Sequence, residues 1–185
     1  MQYEVEQKHQ VDLSDGCGVD DRLLGFGAEL GESVEQSDQY FAHPSKDFAR
    51  TDEALRIRSH AGESFVTYKG PKIDQVTKTR REIELPLGTT ADGERFAELL
   101  QALGFTPVAT VTKRRRPFWI EYAGRTVEGA YDVVSDIGTF IELELKADDS
   151  NLEETKRTIG ELAQKLDLGP SIRSSYLEML LAKKV

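Results

Sequence analysis

Glutamates recur two residues apart at three places in this chain: Glu4 with Glu6, Glu82 with Glu84, and Glu142 with Glu144. Each pair lies in a segment where charged and apolar residues alternate, so each belongs on one face of an extended strand with its carboxylates about 7 Å apart. In a site shielded from water, that repulsion is costly unless a cation intervenes. Hard divalent ions such as Mg²⁺ or Mn²⁺ take carboxylate oxygens, keep some waters and leave positions open for phosphate oxygens. Two carboxylate pairs brought together would suit one or two such ions.

Basic residues supply the complementary half. Arg56 and Arg58 share a face of another alternating segment, and their planar forks can grip non-bridging phosphate oxygens in bidentate fashion. Lys8, Lys69, Lys113 and Arg115 add further positive charge at matching parity. A single strand with one charged and one apolar face is ordinarily half-buried with a solvated side. Here the charges sort by type: acids dominate the first and last strands, and arginine or lysine the hairpin. If the sheet curls so that these faces look inward, its interior becomes a polar tunnel for a chain of phosphates plus metal. The apolar faces would then look outward, under amphipathic helices.

The elements that must position these groups read fairly cleanly. Alternation predicts strands over Tyr3 to Val11, Gln36 to Phe41, Lys78 to Leu87 and Ile141 to Lys146. Leu55 to Arg58 and Phe65 to Lys69 form a hairpin across His60-Ala61-Gly62-Glu63. Two or three more strands fall between Thr106 and Val134, broken at Ala123-Gly124. Helical spacing marks Val19 to Leu30, with Gly31 as its stop and Gly25 and Gly27 as internal weaknesses. Phe96 to Leu103 forms a helix closed by Gly104, with an N-cap among Thr89 to Gly93. Leu152 to Leu166 is a helix opened by a Ser150/Glu153 capping box and running to Gly169-Pro170. Tyr176 to Ala182 closes the chain as a short helix.

Composition bounds the function. The 185 residues carry 24 Lys+Arg and 33 Asp+Glu, a formal charge of -9, and the length fits one domain spanning 1-185. Residues 1-54 hold 4 basic and 13 acidic residues, whereas residues 55-185 hold 20 of each. An acidic chain is a poor match for nucleic acid or anionic membrane, so neither is expected as a partner. The basic run Lys113 to Arg116 before Trp119 does not outweigh that. No stretch approaches the ~18 apolar residues a membrane-spanning helix needs, and the N-terminus lacks a signal peptide's basic start and apolar run. A cytoplasmic location is the expectation. Cys17 is the single cysteine, which excludes an internal disulfide and a Cys-x-x-Cys metal knuckle. Gly25-Phe-Gly27 lacks the third glycine of a dinucleotide loop, and no Gly-Lys-Ser/Thr occurs. The histidines His9, His43 and His60 are unclustered.

Glu4-x-Glu6-x-Lys8 resembles the ExExK signature of the CYTH superfamily, the triphosphate tunnel metalloenzymes. Its companions follow in the family's order: Gln36-Ser-Asp38-Gln-Tyr40-Phe41, Glu53-Ala-Leu55-Arg56-Ile57-Arg58, Lys69, Arg80-x-Glu82-x-Glu84, Lys113-x-Arg115, and Asp132 through Gly138 to Glu142-x-Glu144. The Gln-x-Asp-x-Tyr-Phe stretch and Ser175-Tyr176-Leu177-Glu178 look most like the class IV adenylyl cyclase branch. The resemblance implies an α+β fold: a closed eight-stranded antiparallel β-barrel with helices packed outside. It implies Glu4, Glu6, Glu142 and Glu144 as acids for Mg²⁺ or Mn²⁺, with Asp132 supporting them. Lys8, Arg56, Arg58, Lys69, Arg80, Lys113 and Arg115 would hold the phosphates, and Lys69 and Tyr40 would stand as catalytic groups near the scissile phosphate. Arg114 and Arg116, of opposite parity, should point away from the tunnel. Gln7 and Tyr131 stand where relatives often carry arginine and leucine.

Two chemistries use these parts. A cyclase would let the ribose 3'-hydroxyl of ATP attack the α-phosphorus and expel pyrophosphate, leaving 3',5'-cyclic AMP. A triphosphatase would set water in line with the terminal phosphorus of tripolyphosphate, thiamine triphosphate or a nucleotide. A non-enzymatic polyphosphate- or nucleotide-binding module competes, although the paired glutamates oppose anion binding without a metal. A flat outer strand could support a homodimer.

Overall fold

A computed structural model describes residues 2-12, 18-71 and 80-183. Cys17 and the start of the strand expected from Lys78 lie outside them. Alternation becomes strand wherever one face is apolar and the other charged: β1 (Gln2–Gln10), β3 (Val34–Ala42), β4 (Ala54–His60), β5 (Glu63–Lys69), β6 (Glu82–Thr89), β7 (Thr106–Tyr122), β8 (Arg125–Val134) and β9 (Gly138–Asp148). A two-residue β2 (Glu29–Leu30) pairs with β7. All pairings are antiparallel, in the order β1-β9-β8-β7-β3-β4-β5-β6. Tight turns at Ala61-Gly62 (φ 49° and 83°) and Ala123-Gly124 (φ 51° and 73°) join β4 to β5 and β7 to β8. Two consecutive positive φ angles match a hairpin turn to the right-handed twist of its strands.

The sheet curls, but the expected closed barrel is not what the strand pairing establishes. Among the described residues β1 and β6, the ends of the order, share no ladder; an isolated bridge runs from Glu4 of β1 to Arg80, just ahead of β6.

Helices α1 (Val19–Gly25), α2 (Phe48–Thr51), α3 (Thr90–Ala102), α4 (Leu152–Lys165) and α5 (Tyr176–Ala182) complete the fold. On the convex side α1 and α4 bury Leu23, Ile159 and Leu162 against Val5, Phe118, Val127 and Leu143. Likewise α3 buries Ala97 and Leu100 against Phe41 and Ile57. The expectation that all helices lie outside fails for α5. Its Tyr176 and Leu180 pack with Tyr40, Val111, Val134 and Phe140 on the concave side, because the strand residues there are apolar at one end of the trough.

Three local expectations change. The helix from Val19 stops at Gly25, since Gly27 turns to φ 77° and Glu29–Leu30 gain more by pairing with β7. The Ser150/Glu153 capping box does not form: Asn151 is the N-cap, and the Ser150 backbone and hydroxyl both donate to Asp148 Oδ1 at 2.8 and 2.5 Å. A capping box does form at Thr89/Asp92 and at Ser175/Glu178. The unforeseen α2 exists because Asp47 Oδ1 accepts from the backbone N–H of Ala49 and Arg50 at 3.1 and 3.2 Å. No described helix is long and apolar enough to cross a membrane.

Candidate active site

Every strand of the eight-stranded order sends alternate side chains to the concave side, and the pleat alone decides which. Glu4, Glu6 and Lys8 of β1 meet Glu142 and Glu144 of β9, Lys113 and Arg115 of β7, Tyr40 of β3, Arg56 and Arg58 of β4, Lys69 of β5, and Glu82 and Glu84 of β6. All line one cavity of about 750 Å³, as does Arg80. Thus every proposed site residue except Asp132 borders that space, and Asp132 lies buried directly behind Arg115. Arg114 and Arg116 line a separate hollow with Asp20 and Tyr131, as their parity requires, and Arg116 also donates to the Gly31 carbonyl at 3.1 Å.

The cations are held by buried anions. Asp38 accepts from Arg58 Nε and Nη2 at 2.7 and 2.8 Å, and from Arg56 Nη1 at 3.3 Å. Burial, the largest single influence on Asp38, acts to raise its pKa, yet the Arg56 and Arg58 charges overcome it and hold the carboxyl well below the usual range. Burial raises the pKa of the Tyr40 hydroxyl, against the pull of the nearby Arg56 charge. Asp132 plays the same part on the neighbouring strands, accepting from Arg115 Nε at 2.8 Å, Arg115 Nη2 at 2.5 Å, Lys113 Nζ at 3.4 Å and the Tyr176 hydroxyl at 3.0 Å. Both its oxygens are engaged, so it orients an arginine and a lysine. Arg115 reaches on to Glu142. Burial, followed by the Arg115 charge, lowers the pKa of Lys113 to about 7. Lys69 donates to Glu82 Oε1 at 2.5 Å, Arg80 Nε lies 3.4 Å from the same oxygen, and Thr67 donates to Glu84 at 2.9 Å. Glu82 and Glu84 are therefore partnered by Lys69 and Thr67 of β5, with Arg80 ahead of β6 also on Glu82. Lys8 is fully buried; its Nζ donates to the Ser174 carbonyl at 2.5 Å and sits 4.1 Å from the Tyr176 ring centroid.

A different arrangement prevails where β1 meets β9. Burial, then the neighbouring Glu4 carboxylate, then Glu6 push the Glu144 pKa up to about 9. Burial likewise raises Glu4, against the pull of Lys69. Among the described residues no three acidic, histidine or cysteine side chains are already gathered into a metal cage. Glu4, Glu6 and Glu144 offer carboxylate oxygens alone, a donor set that fits a hard divalent cation such as Mg²⁺.

This pair yields a pH prediction. A carboxyl whose folded pKa is raised binds its proton more tightly than the unfolded chain does, so its contribution to stability falls as pH rises from its ordinary value of 4.5 towards about 9. Glu144→Gln keeps a donor and cannot ionise. Without metal, the melting temperature of the variant minus that of the parent should grow steadily between pH 5 and 9, and millimolar Mg²⁺ should shrink the difference. A pH-independent difference would contradict the raised Glu144 pKa.

Asp38 and Tyr176 carry roles that sequence reasoning missed. Asp38 lies directly across from Arg58 in the β3–β4 register, a signal available once the strands were aligned. Tyr176 is reached only through the concave packing of α5.

Comparison with known proteins places this geometry in context. The family described as CYTH domain matches residues 2-176. A Methanocaldococcus jannaschii protein named "Putative adenylate cyclase" is 37% identical over 178 residues, covering 95% of this chain and 98% of the relative. "Adenylate cyclase CyaB" of Aeromonas hydrophila is 27% identical over 174 residues, covering 90% and 81%. The solved structure of a Pyrococcus horikoshii protein superposes with a TM-score of 0.85 at 36% identity, covering 97% of this chain and 99% of that one.

Proposed function

This chain belongs to the CYTH domain family, and from that premise we propose that it is a Mg²⁺- or Mn²⁺-dependent enzyme that converts ATP to 3',5'-cyclic AMP and pyrophosphate. The observation that carries the reading is the separation of charge inside one cavity: an acid group at Glu4, Glu6 and Glu144 faces a battery of lysine and arginine side chains pre-oriented by Asp38 and Asp132. Fixed donors aimed at developing negative charge act most strongly where water is excluded. Cyclisation rather than hydrolysis is favoured by the names of the two relatives, both called adenylate cyclases.

In this reading Arg56, Arg58, Arg80, Lys113 and Arg115 hold the phosphate chain, joined by Lys69 and, at the end nearest α5, by Lys8. A divalent ion on Glu4, Glu6 and Glu144, with Glu142 alongside and Asp132 behind, would supply charge neutralisation at the phosphates. Tyr40 and Lys69 stand as the catalytic candidates beside the reacting phosphorus. Burial, then Arg56, lowers the pKa of Lys69 below that of an ordinary lysine. The 3'-oxygen bonds to the α-phosphorus, the bond to the bridging α,β-oxygen breaks, and the hydroxyl proton is released. Lys113, poised near neutrality, would take up a proton as the polyanion arrives.

The test is product identity. The protein is incubated with Mn²⁺ and ATP, and separately with Mn²⁺ and tripolyphosphate, and the products are resolved by phosphorus NMR. Cyclic AMP with pyrophosphate from ATP is the expected result. Orthophosphate instead would make the protein a triphosphatase of inorganic, thiamine or nucleoside triphosphate, and both substrates remaining intact would reduce it to a binding module.

A further inference from the structure

The charged trough is only part of the cavity. At the end formed by the β3–β4 connection and α5, the same continuous space is bordered by the apolar side chains of Phe48, Val108, Leu177 and Leu181, with Lys46 and Glu178 beside them. A volume of about 750 Å³ falls within the range of pockets that enclose a whole organic ligand. A triphosphate alone would leave these four apolar side chains unused. A polyanion gains nothing from phenylalanine and leucine, whereas a flat aromatic ring gains both burial and stacking.

Phe48 is also held in place. Asp47 caps the single turn on which it sits, and Asp52 ends that turn in a left-handed conformation (φ 56°). The Glu53 N–H donates to the Phe48 carbonyl at 3.0 Å. Glu53 is fixed in turn by Lys46 Nζ at 2.5 Å and by the Tyr68 hydroxyl. The Phe48 ring packs 5.5 Å from His43 and 6.5 Å from Tyr68, centroid to centroid. An aromatic side chain that is braced on its flanks yet borders a cavity has the preorganisation of a recognition element. Across the mouth, Leu177 is half-buried, and Leu181 is 37% exposed despite lining the cavity.

We propose that Phe48, Leu177 and Leu181 form the subsite for the nucleobase of a nucleoside triphosphate whose phosphates lie among the interior cations. This rests on the triphosphate reading above and extends it: the trough grips any triphosphate, and the apolar mouth selects those with an aromatic base. Base stacking on an aromatic side chain contributes about 1–3 kcal/mol, or about five- to 150-fold in affinity.

The experiment compares two ligands that cannot turn over, each with Mg²⁺: a 3'-deoxy-ATP analogue with a β,γ-methylene bridge, and tripolyphosphate with both bridging oxygens replaced by methylene. Calorimetry on Phe48→Ala and on Leu181→Ala, whose exposed side chain is not needed for folding, should show the nucleotide binding at least fivefold more weakly with Phe48→Ala. It should bind measurably more weakly with Leu181→Ala, while the inorganic ligand stays within twofold. In Phe48→Trp, the nucleotide but not the inorganic ligand should quench the new tryptophan. Equal losses for both ligands, or unchanged nucleotide affinity in a folded Phe48→Ala, would overturn the subsite and leave the trough reading standing. If the unaltered protein binds neither ligand, both readings fall.

Discussion

Replacing Glu4 and Glu6 together with glutamine should lower metal-dependent turnover by about three orders of magnitude or more. Neutralisation of phosphate charge by a metal contributes several kcal/mol to the transition state, and each 1.36 kcal/mol is tenfold in rate. The fold should survive. Glu4 and Glu6 both act to raise the Glu144 pKa, so removing their charges relieves repulsion. The comparison is of initial rates with Mn²⁺ at saturating substrate, alongside thermal melts without metal. Near-normal turnover in a folded double variant would remove these acids from the chemistry.

Asp38→Ala should destabilise the protein by about 3–5 kcal/mol, the range for breaking a buried ion pair by deleting one partner. The carboxylate is 1% exposed and neutralises two guanidinium groups at once. Its removal leaves two positive charges near Lys113, which already acts on Asp38 from the neighbouring strand β7. Urea unfolding measures the loss. Tripolyphosphate should recover part of it, because a bound polyanion would supply the missing charge to Arg56 and Arg58. A loss under about 1 kcal/mol, or no response to the polyanion, would mean that the arginines are solvated rather than held by Asp38.

Much of the site was readable because a strand has a period of two. Once Glu4, Glu6 and Lys8 are placed on one face, Val5 and Gln7 must take the other, and the same rule assigns Arg56 with Arg58 and Lys113 with Arg115. The turns were equally local, since Ala61-Gly62 and Ala123-Gly124 need only two residues that accept positive φ. Local signals misled where long-range pairing competed with them: Glu29–Leu30 left a helical pattern for the edge of β7, and Ser150 satisfied Asp148 instead of capping α4.

What the sequence determined by itself was therefore the membership of each face: which side chains are charged, which apolar, and which share a side of their strand. Only the tertiary structure decided how those faces meet. It set Asp38 and Asp132 as the anions that orient the arginines, turned α5 into the trough, left β1 and β6 without a shared ladder among the described residues, and brought Glu4 beside Glu144 of the neighbouring strand. These depend on contacts between residues far apart in the chain. Alternation fixes direction within a strand but carries no information about register between strands, or about which end of a curled sheet a terminal helix will fill.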